Sequence, residues 1–189
     1  MPEPTPSTFS EVFRALRHRN FRLFASGQLI SLIGTWMQMV AQSWLVYRLT
    51  GSAMQLGMVG FASQIPIFLV VPLGGLVADR LDRRSILFKT QTASMLLAGL
   101  LAALTLTEQI QVWHLYVLAI LLGVANAFDI PTRQAFTVQM VGREDLPNAI
   151  SLNSSMVNGA RMVGPALAGV LVGWVGEGWC FLGNSLSYL

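Results

Sequence analysis

Five charged residues lie close together between two long apolar stretches of the chain, namely Asp79, Arg80, Asp82, Arg83 and Arg84. Carboxylates and guanidinium groups at this spacing can pair with each other and with helix termini, which is chemistry for holding a conformation and not for breaking bonds. Arginine beside an apolar segment also resists translocation across a membrane. The run therefore predicts a cytoplasmic turn between two membrane-spanning helices that fixes topology and can latch one conformation.

A polar stripe follows the first apolar segment at intervals of three and four residues, and it consists of Gln28, Ser31, Thr35, Gln38 and Gln42. Residues at this spacing share one face of a helix. Because such a face is costly in lipid, it should contact either a neighbouring helix or a water-filled cavity that binds a solute. Five polar positions over about four turns favour the cavity.

Arg161 stands alone in the fifth apolar segment, where Ser154 and Asn158 precede it at helical spacing. A charged side chain at the centre of a span costs about 2.5–3.5 kcal/mol on insertion scales, so it requires water, a carboxylate or backbone carbonyls. The nearest acidic residues lie at predicted helix ends. Asn158 and Arg161 are therefore predicted to line the solute cavity, and a structural pairing of the arginine with a carbonyl is the alternative.

Small residues and a proline follow on the same predicted helix, namely Gly164, Pro165, Ala168 and Gly169. Small side chains let helices approach closely, and proline removes one backbone donor and bends the helix. The motif predicts either tight helix packing or a bend that shapes a seam between two bundles. Pro66 and Pro72 interrupt the second apolar segment in a related way, which suggests a repeated three-helix unit with helices two and five as counterparts.

Composition identifies the elements that must hold these residues. Charged residues make up 11% of the chain and apolar residues 53%, whereas a soluble domain carries about 25% charge. The charge-free stretches can cross a hydrocarbon core of about 30 Å, so we predict an all-α, polytopic membrane protein. Five helices and the start of a sixth are expected at about residues 23–47, 53–78, 86–107, 111–130, 147–175 and 179–189. Since the last segment stops without a cap, we expect the chain to be part of a longer protein.

Residues 1–22 are expected to form a cytoplasmic arm, with residues 1–10 disordered. Residues 11–22 predict an interfacial helix, in which Val12, Phe13, Leu16 and Phe21 face lipid while Arg14, Arg17 and Arg22 meet headgroups. His18 is expected to be one more interfacial polar residue. Ten of the 12 Lys and Arg residues lie on this side of the predicted spans, which predicts an N-terminus in the cytoplasm.

Several classes of protein are disfavoured by the same residues. A lone cysteine, Cys180, excludes a disulfide within the chain and a cysteine-based metal site. The chain has no paired histidines, no Gly-x-Ser-x-Gly and no phosphate-binding glycine loop, so we expect no enzyme activity, no metal and no cofactor. Its basic surplus lies beside membrane spans, which argues against a nucleic-acid partner. A membrane anchor or assembly protein that transports nothing is the alternative from another class.

The charged turn resembles the loop between helices two and three of the major facilitator superfamily, whose signature G-x-x-x-D-R-x-G-R-R is matched at Gly75, Asp79, Arg80, Arg83 and Arg84, with Asp82 replacing a glycine. The small-residue motif resembles the exporter signature G-P-x-x-G-G of helix five, with Ala168 for a glycine. Segments 34–38, 49–52, 131–133 and 184–187 are similar to those of bacterial multidrug, macrolide and siderophore exporters, including the enterobactin type. The resemblance extends over nearly the whole chain.

This resemblance implies the N-terminal six-helix bundle of a twelve-helix fold in the bacterial cytoplasmic (inner) membrane, truncated within helix six. It implies alternating access, with the lipid bilayer, a small-molecule substrate and the C-terminal bundle as partners, and with a proton gradient as the energy source. Asp79 would then meet a helix terminus of the other bundle, while Arg83 would pair with Asp129 to latch the outward-facing state. An uptake symporter is the first alternative to an exporter. The arginine that many proton antiporters carry on helix four would fall near Ala119, where no charge is present.

Overall fold

The computed structural model describes residues 14–189. The predicted disordered arm and two lipid-facing residues of the predicted interfacial helix, Val12 and Phe13, lie outside the described residues. A 3-10 turn, Arg14–Arg17, precedes α1 (Arg19–Thr50), α2 (Ala53–Arg80) and α3 (Arg83–Leu106), which are followed by one long helical segment, Val112–Val175, and by α6 (Glu177–Ser187).

Gly142 divides the long segment, because its backbone has φ 73° and ψ 177°, a conformation that residues with a Cβ rarely adopt. The two parts are α4 (Val112–Val141) and α5 (Leu146–Val175). Helices α1 to α5 are each long and apolar enough to cross a membrane. Regular secondary structure in residues 14–189 is entirely helical, which confirms the predicted all-α, polytopic membrane protein.

Helix boundaries differ from the predicted ones, because charges mark the edge of a hydrocarbon core and not the end of a helix. α1 begins at Arg19, four residues before the predicted start, and α3 begins at Arg83. α4 continues to Val141, well past the predicted end at residue 130. Asp129 and Arg133 form an ion pair one turn apart within it (2.7 Å), which satisfies both charges without ending the helix.

The turn between α2 and α3 explains why an aspartate replaces the signature glycine. Asp82 has φ −64° and ψ 113°, so no left-handed backbone is required there. Its side chain accepts a hydrogen bond from the Ser85 amide (2.9 Å) and caps the start of α3. An N-cap of this kind stabilises a helix by about 1 kcal/mol.

Glycines set the spacing between the packed helices. A Cβ on Gly164 of α5 would lie 2.8 Å from the Ile33 carbonyl oxygen and 2.9 Å from the Met37 amide nitrogen of α1, closer than real contacts allow. A Cβ on Gly74 of α2 would likewise meet the Ala127 backbone of α4. α5 therefore packs closely on α1, and α2 packs closely on α4. This arrangement is expected if the bundle repeats a three-helix unit in which helix five corresponds to helix two and helix four to helix one.

The apolar core lies between α1, α3, α4 and α6. Its fully or nearly fully buried members include Ala41, Leu45, Leu101, Leu115, Cys180 and Phe181. α6 is tied to α3 by the Ser185 hydroxyl, which donates to the Met95 carbonyl (2.8 Å). Cys180 is buried, as expected for a small apolar residue without chemistry of its own.

Candidate functional site

A cavity of about 170 Å³ lies between α1, α2 and α4, with α6 contributing at one side. Three of the predicted cavity residues line it, namely Thr35, Gln38 and Gln42. The volume is small beside the roughly 300–1,000 Å³ of sites for drug-sized ligands. The cavity by itself is therefore too small to enclose a drug-sized molecule.

The polar residues of this wall are engaged to different degrees. Gln38 is buried and accepts a hydrogen bond from Asn184 Nδ2 of α6 (2.7 Å). The Thr35 hydroxyl donates to the Ser31 carbonyl (2.8 Å) and lies 3.2 Å from the Tyr188 hydroxyl. Gln42 makes no side-chain hydrogen bond within residues 14–189, so its amide is available to a solute.

The cavity also contains polar residues that the sequence analysis missed, among them Ser63 and Gln64 of α2 and Asn126 of α4. Their signal was present, because each is a polar residue inside a charge-free stretch. Unlike the stripe of α1, these residues show no helical periodicity, so their position beside α1 depends on how the helices pack.

Gln28 is not among the residues that line this cavity. Its amide donates to Asn153 Oδ1 of α5 (2.9 Å), so it takes the alternative role of linking two helices. Helix α1 is 32 residues long and meets different neighbours along its length. One polar stripe therefore serves two purposes.

Asn158 and Arg161 also lie outside the cavity, on an exposed face of α5. Asn158 Nδ2 donates to the Ser154 carbonyl of its own helix (2.9 Å). The Arg161 guanidinium carbon lies 4.7 Å from the centre of the Trp36 ring, so one face of the cation is stacked on an aromatic ring.

The helix-five motif faces in two directions. Gly164 and Ala168 are buried and Gly164 contacts α1, whereas Pro165 is half-buried and Gly169 is exposed with open space around its Cα. The first pair thus gives the tight packing that small residues permit.

In the charged turn between α2 and α3, one arginine is hydrogen-bonded to the backbone and the other charged side chains are exposed. Arg83 donates to the carbonyls of Ala78 (3.3 Å) and Ala135 (3.4 Å), which fixes the turn against α4. Asp79, Arg80 and Arg84 are exposed, and Gly75 is half-buried with open space around it. The turn therefore offers exposed charges of both signs beside the end of α4.

The expected ion pair between Arg83 and Asp129 is not formed. Asp129 is buried and accepts hydrogen bonds from Thr90 (2.8 Å) and Gln91 (2.9 Å) of α3 and from Arg133 Nε of α4 (2.8 Å). Arg133 pairs with Asp129 in preference to Arg83 because it lies one turn away on the same helix. Its side chain therefore loses little conformational entropy when it reaches the carboxylate. The four-residue spacing was visible in the sequence and was overlooked.

The N-terminal segment docks on the turn between α4 and α5, contrary to the prediction that it lies along lipid. Arg14 Nε and His18 Nε2 each lie 2.8 Å from an oxygen of Asp145. The Ala15 amide donates to Asn148 Oδ1 (2.9 Å). The hydrogen bond from His18, with the charges of Arg14 and His18, holds the pKa of Asp145 below its ordinary value against the opposing effect of burial.

An apolar cluster lies beneath these polar contacts, formed by Ala15, Phe21, Ala25, Val141 and Ala149. Phe21 is 1% exposed, so it faces protein, whereas the prediction had it facing lipid. The prediction treated the segment in isolation, whereas the α4–α5 turn supplies an apolar surface and a carboxylate in one place. We call this end of the bundle, which holds ten of the 12 Lys and Arg residues, the basic end.

The opposite end contains one ion pair, which the sequence analysis also missed. Arg48 at the end of α1 donates to both carboxylate oxygens of Glu177 in α6, at 2.8 Å and 3.2 Å. Glu177 is buried, while the Arg48 side chain is about half exposed. The pair joins α1 to the first turn of α6.

Comparison with known families matches these features to a group of membrane proteins. The family model described as transmembrane secretion effector matches residues 10–189. The chain belongs to this transmembrane secretion effector family, within the major facilitator superfamily. The recognition made from the charged turn and the helix-five motif is thereby confirmed.

Relatives of this transmembrane secretion effector include proteins named as transporters and exporters. The staphyloferrin A transporter of Staphylococcus aureus is 29% identical over 88% of this chain and 42% of the relative. The macrolide efflux protein A of Streptococcus pyogenes is 26% identical over 77% of this chain and 36% of the relative. The enterobactin exporter of Citrobacter koseri is 26% identical over 86% of this chain and 39% of the relative. No solved structure matches the chain significantly.

The chain spans about two-fifths of the length of these relatives. This coverage agrees with one helical bundle of a two-bundle fold. Within the described residues, the candidate site consists of the cavity between α1, α2 and α4 and of the exposed charged turn.

Proposed function

We propose that the full-length protein carrying this chain exports a small amphipathic molecule across the bacterial cytoplasmic membrane, driven by protons. The polar wall between α1, α2 and α4 supports this proposal most directly, because Gln42, Gln64 and Asn126 line a cavity of mixed polar and apolar surface. Apolar surface with a few amides suits a molecule that has both characters. The relatives named for macrolide efflux and enterobactin export support the outward direction.

Alternating access is the mechanism that we propose for this cavity. A second bundle would face the wall and close the site, and the two bundles would rock about it so that the cavity opens to one side at a time. The limited volume of about 170 Å³ supports this, since a drug-sized solute needs a second wall to be enclosed.

The charged turn would act as the latch between the bundles. Arg83 is already used in holding the turn to α4. Asp79 and Arg80 are exposed, and neither has an ion-pair partner within the described part of the chain. They are therefore free to contact a helix terminus of the second bundle when the basic end closes.

Protons are the proposed energy source. One charge moving through a membrane potential of ~100 mV supplies ~2.3 kcal/mol. At ~1.4 kcal/mol per tenfold ratio, this maintains a solute gradient of roughly fifty-fold. The basic end would face the cytoplasm, since ten of the 12 Lys and Arg residues lie there.

The test is efflux of ethidium or a macrolide from cells that express the full-length gene. We expect efflux to stop when a proton uncoupler is added and to fall strongly in Asp79→Asn, which removes the exposed charge of the turn. Glu108→Gln is the matched control, because it removes an exposed acid at the opposite end of the bundle. It should leave efflux unchanged.

Other results would redirect the proposal. Efflux that persists with the uncoupler would exclude protons as the energy source. Greater accumulation of the solute in energised cells would indicate uptake. Absence of transport for every solute, with complex formation lost in turn variants, would favour an anchor or assembly protein.

A further inference from the structure

Arg161 is the charged residue placed deepest in the five spans of residues 14–189. It lies 15 residues from Leu146 and 14 from Val175, the two ends of α5. At 1.5 Å per residue it is roughly 21–23 Å from either end. Asp129, towards the basic end of α4 and 12 residues from its last residue, is surrounded by donors. Arg161 has no comparable neighbours.

The guanidinium of Arg161 is held on one face only. It stacks over Trp36 of α1, with 4.7 Å between the guanidinium carbon and the ring centre. Gly164, one turn further along α5, brings the two helices close enough for this stacking, because a Cβ there would lie 2.6 Å from Trp36 Cβ. The position of the guanidinium is thus built by helix packing and is not that of a freely moving surface side chain.

Stacking leaves the hydrogen-bonding edge of the guanidinium unused. An arginine carries five N–H donors in its plane and has no acceptor. Within the described residues, Arg161 makes no ion pair and no hydrogen bond, and the residue is exposed. An aromatic face offsets only part of the cost of taking a charge out of water. The open edge of Arg161 is therefore built to receive an acceptor from outside this bundle.

The geometry of that edge selects the acceptor. Two parallel N–H groups of a guanidinium match the two oxygens of a carboxylate, and such paired bonds are among the strongest and most directional that a protein makes. Asn158 lies on the same face one turn towards the basic end, and it is also exposed. Its amide can assist with a neighbouring polar group of the same ligand.

We propose that Arg161, stacked on Trp36, binds the carboxylate of the transported solute, so that the solute is an amphipathic organic acid. The inference rests on the proposed export function, and it places the carboxylate of the solute on α5, outside the cavity between α1, α2 and α4. Binding itself requires neither a gradient nor movement of the solute. The two proposals can therefore fail separately.

The test measures binding to the full-length protein in lipid nanodiscs by fluorescence titration. The probes are dansyl-phenylalanine and dansyl-phenylalaninamide, which have nearly the same size and differ in the negative charge. We expect the acid to bind at least about tenfold more tightly than the amide, the gain expected of a charge-assisted paired contact. Arg161→Gln should abolish the difference, and Arg161→Lys should keep only part of it, because lysine retains the charge and lacks the fork.

Lys89→Gln is the matched control, since Lys89 is an exposed cation near the start of α3. It should leave the ratio of acid to amide affinity unchanged. A purely structural role of Arg161 would alter both affinities together and leave their ratio unaltered.

Three results would overturn the inference. The first is equal binding of acid and amide by the unmodified protein, or binding of neither up to the solubility limit. The second is a preference for the acid that survives in Arg161→Gln. The third is no preference for the acid together with a lower Tm of Arg161→Gln in the full-length protein, which would assign the carboxylate to the second bundle. Loss of uncoupler-sensitive efflux with the acid preference intact would instead count against the export proposal alone.

Discussion

At the basic end of the bundle two carboxylates collect five side-chain partners, whereas at the opposite end a single carboxylate meets a single arginine. Asp129 binds Thr90, Gln91 and Arg133, and Asp145 binds Arg14 and His18. The opposite end has only the pair of Arg48 and Glu177 among the ion pairs of residues 14–189.

This difference shows which helices are joined by ion pairs and charged hydrogen bonds at each end of the bundle. At the basic end the polar contacts join the N-terminal segment, α3, α4 and the start of α5. At the opposite end one pair joins α1 to α6. We therefore expect substitutions at the basic end to weaken the fold more, with helix packing near the middle of the bundle intermediate in effect.

The largest effect is expected from Asp129→Ala, because Asp129 is 7% exposed and its loss leaves the Arg133 guanidinium and two further donors without their acceptor. Removing one partner of a buried ion pair costs about 3–5 kcal/mol of unfolding free energy. The measurement is denaturant unfolding of the full-length protein in mild detergent.

The double variant Asp129→Asn with Arg133→Gln should recover much of this loss, since it leaves no unpaired charge. A loss below about 1 kcal/mol for Asp129→Ala would mean that the network resembles a surface ion pair, and the contrast between the two ends would disappear.

The next effect concerns packing between the two ends. Gly164→Ala should cost about 2 kcal/mol, because its Cβ would press on the backbone of Ile33 and Met37. Gly169→Ala is the matched control on the same helix, where an added Cβ meets nothing within 4 Å. Equal stabilities of the two variants, measured by the same unfolding assay, would show that α1 and α5 can separate without cost.

At the opposite end, Arg48→Gln is expected to cost about 1–2 kcal/mol, less than the change at Asp129. Glu177 is buried and loses its charge-assisted hydrogen bonds, but Arg48 is half exposed and water replaces part of the interaction. A loss equal to that of Asp129→Ala in parallel unfolding experiments would reverse the comparison.

The smallest effect is the pH dependence of the contact between the N-terminal segment and Asp145. Because the folded protein lowers the pKa of Asp145, its contribution to stability is present above the ordinary value of 3.8 and is lost as the pH falls through the lower, folded value. Hydrogen exchange of the Ala15 amide, followed from neutral pH to below that value, measures the loss after correction for intrinsic exchange.

Two variants frame this measurement. Asp145→Asn should remove the pH dependence and increase exchange at neutral pH. Glu144→Gln should change nothing, because that side chain is 92% exposed and lies 3.9 Å from Arg14. Protection that declines well above the ordinary value of the Asp145 pKa would show that another group controls the contact.

Three glutamines of α1 show how far the sequence could predict the site. Gln28, Gln38 and Gln42 share a residue type and a helix, and periodicity placed them in one stripe. In the structure Gln28 is hydrogen-bonded to Asn153 of α5 and Gln38 to Asn184 of α6. Gln42 lines the cavity. Periodicity identifies a face of a helix, whereas the neighbour that each turn meets depends on how all the helices are arranged.

The cluster around Asp145 could not be predicted for a related reason. His18 and Asp145 are 127 residues apart in sequence, and nothing in the local pattern of either segment indicates the other. By contrast, Asp129 and Arg133 are four residues apart on one helix. That pair was within reach of sequence reasoning, and the resemblance to a family pattern directed attention to Arg83 instead.

The sequence by itself determined the class of the protein, its family, its five long apolar helices and the position of its charged turn. The family follows from the resemblance carried by the charged turn and the helix-five motif. The class, the helices and the turn follow from composition along the chain, because an apolar stretch of sufficient length must leave water wherever its neighbours lie. Only the tertiary structure decided which side chains meet across different elements: Asp145 for His18, and Trp36 for Arg161. Such partners are chosen by helix spacings of a few ångströms, set by glycine contacts such as that of Gly164 with α1, and no local property of the chain records those spacings.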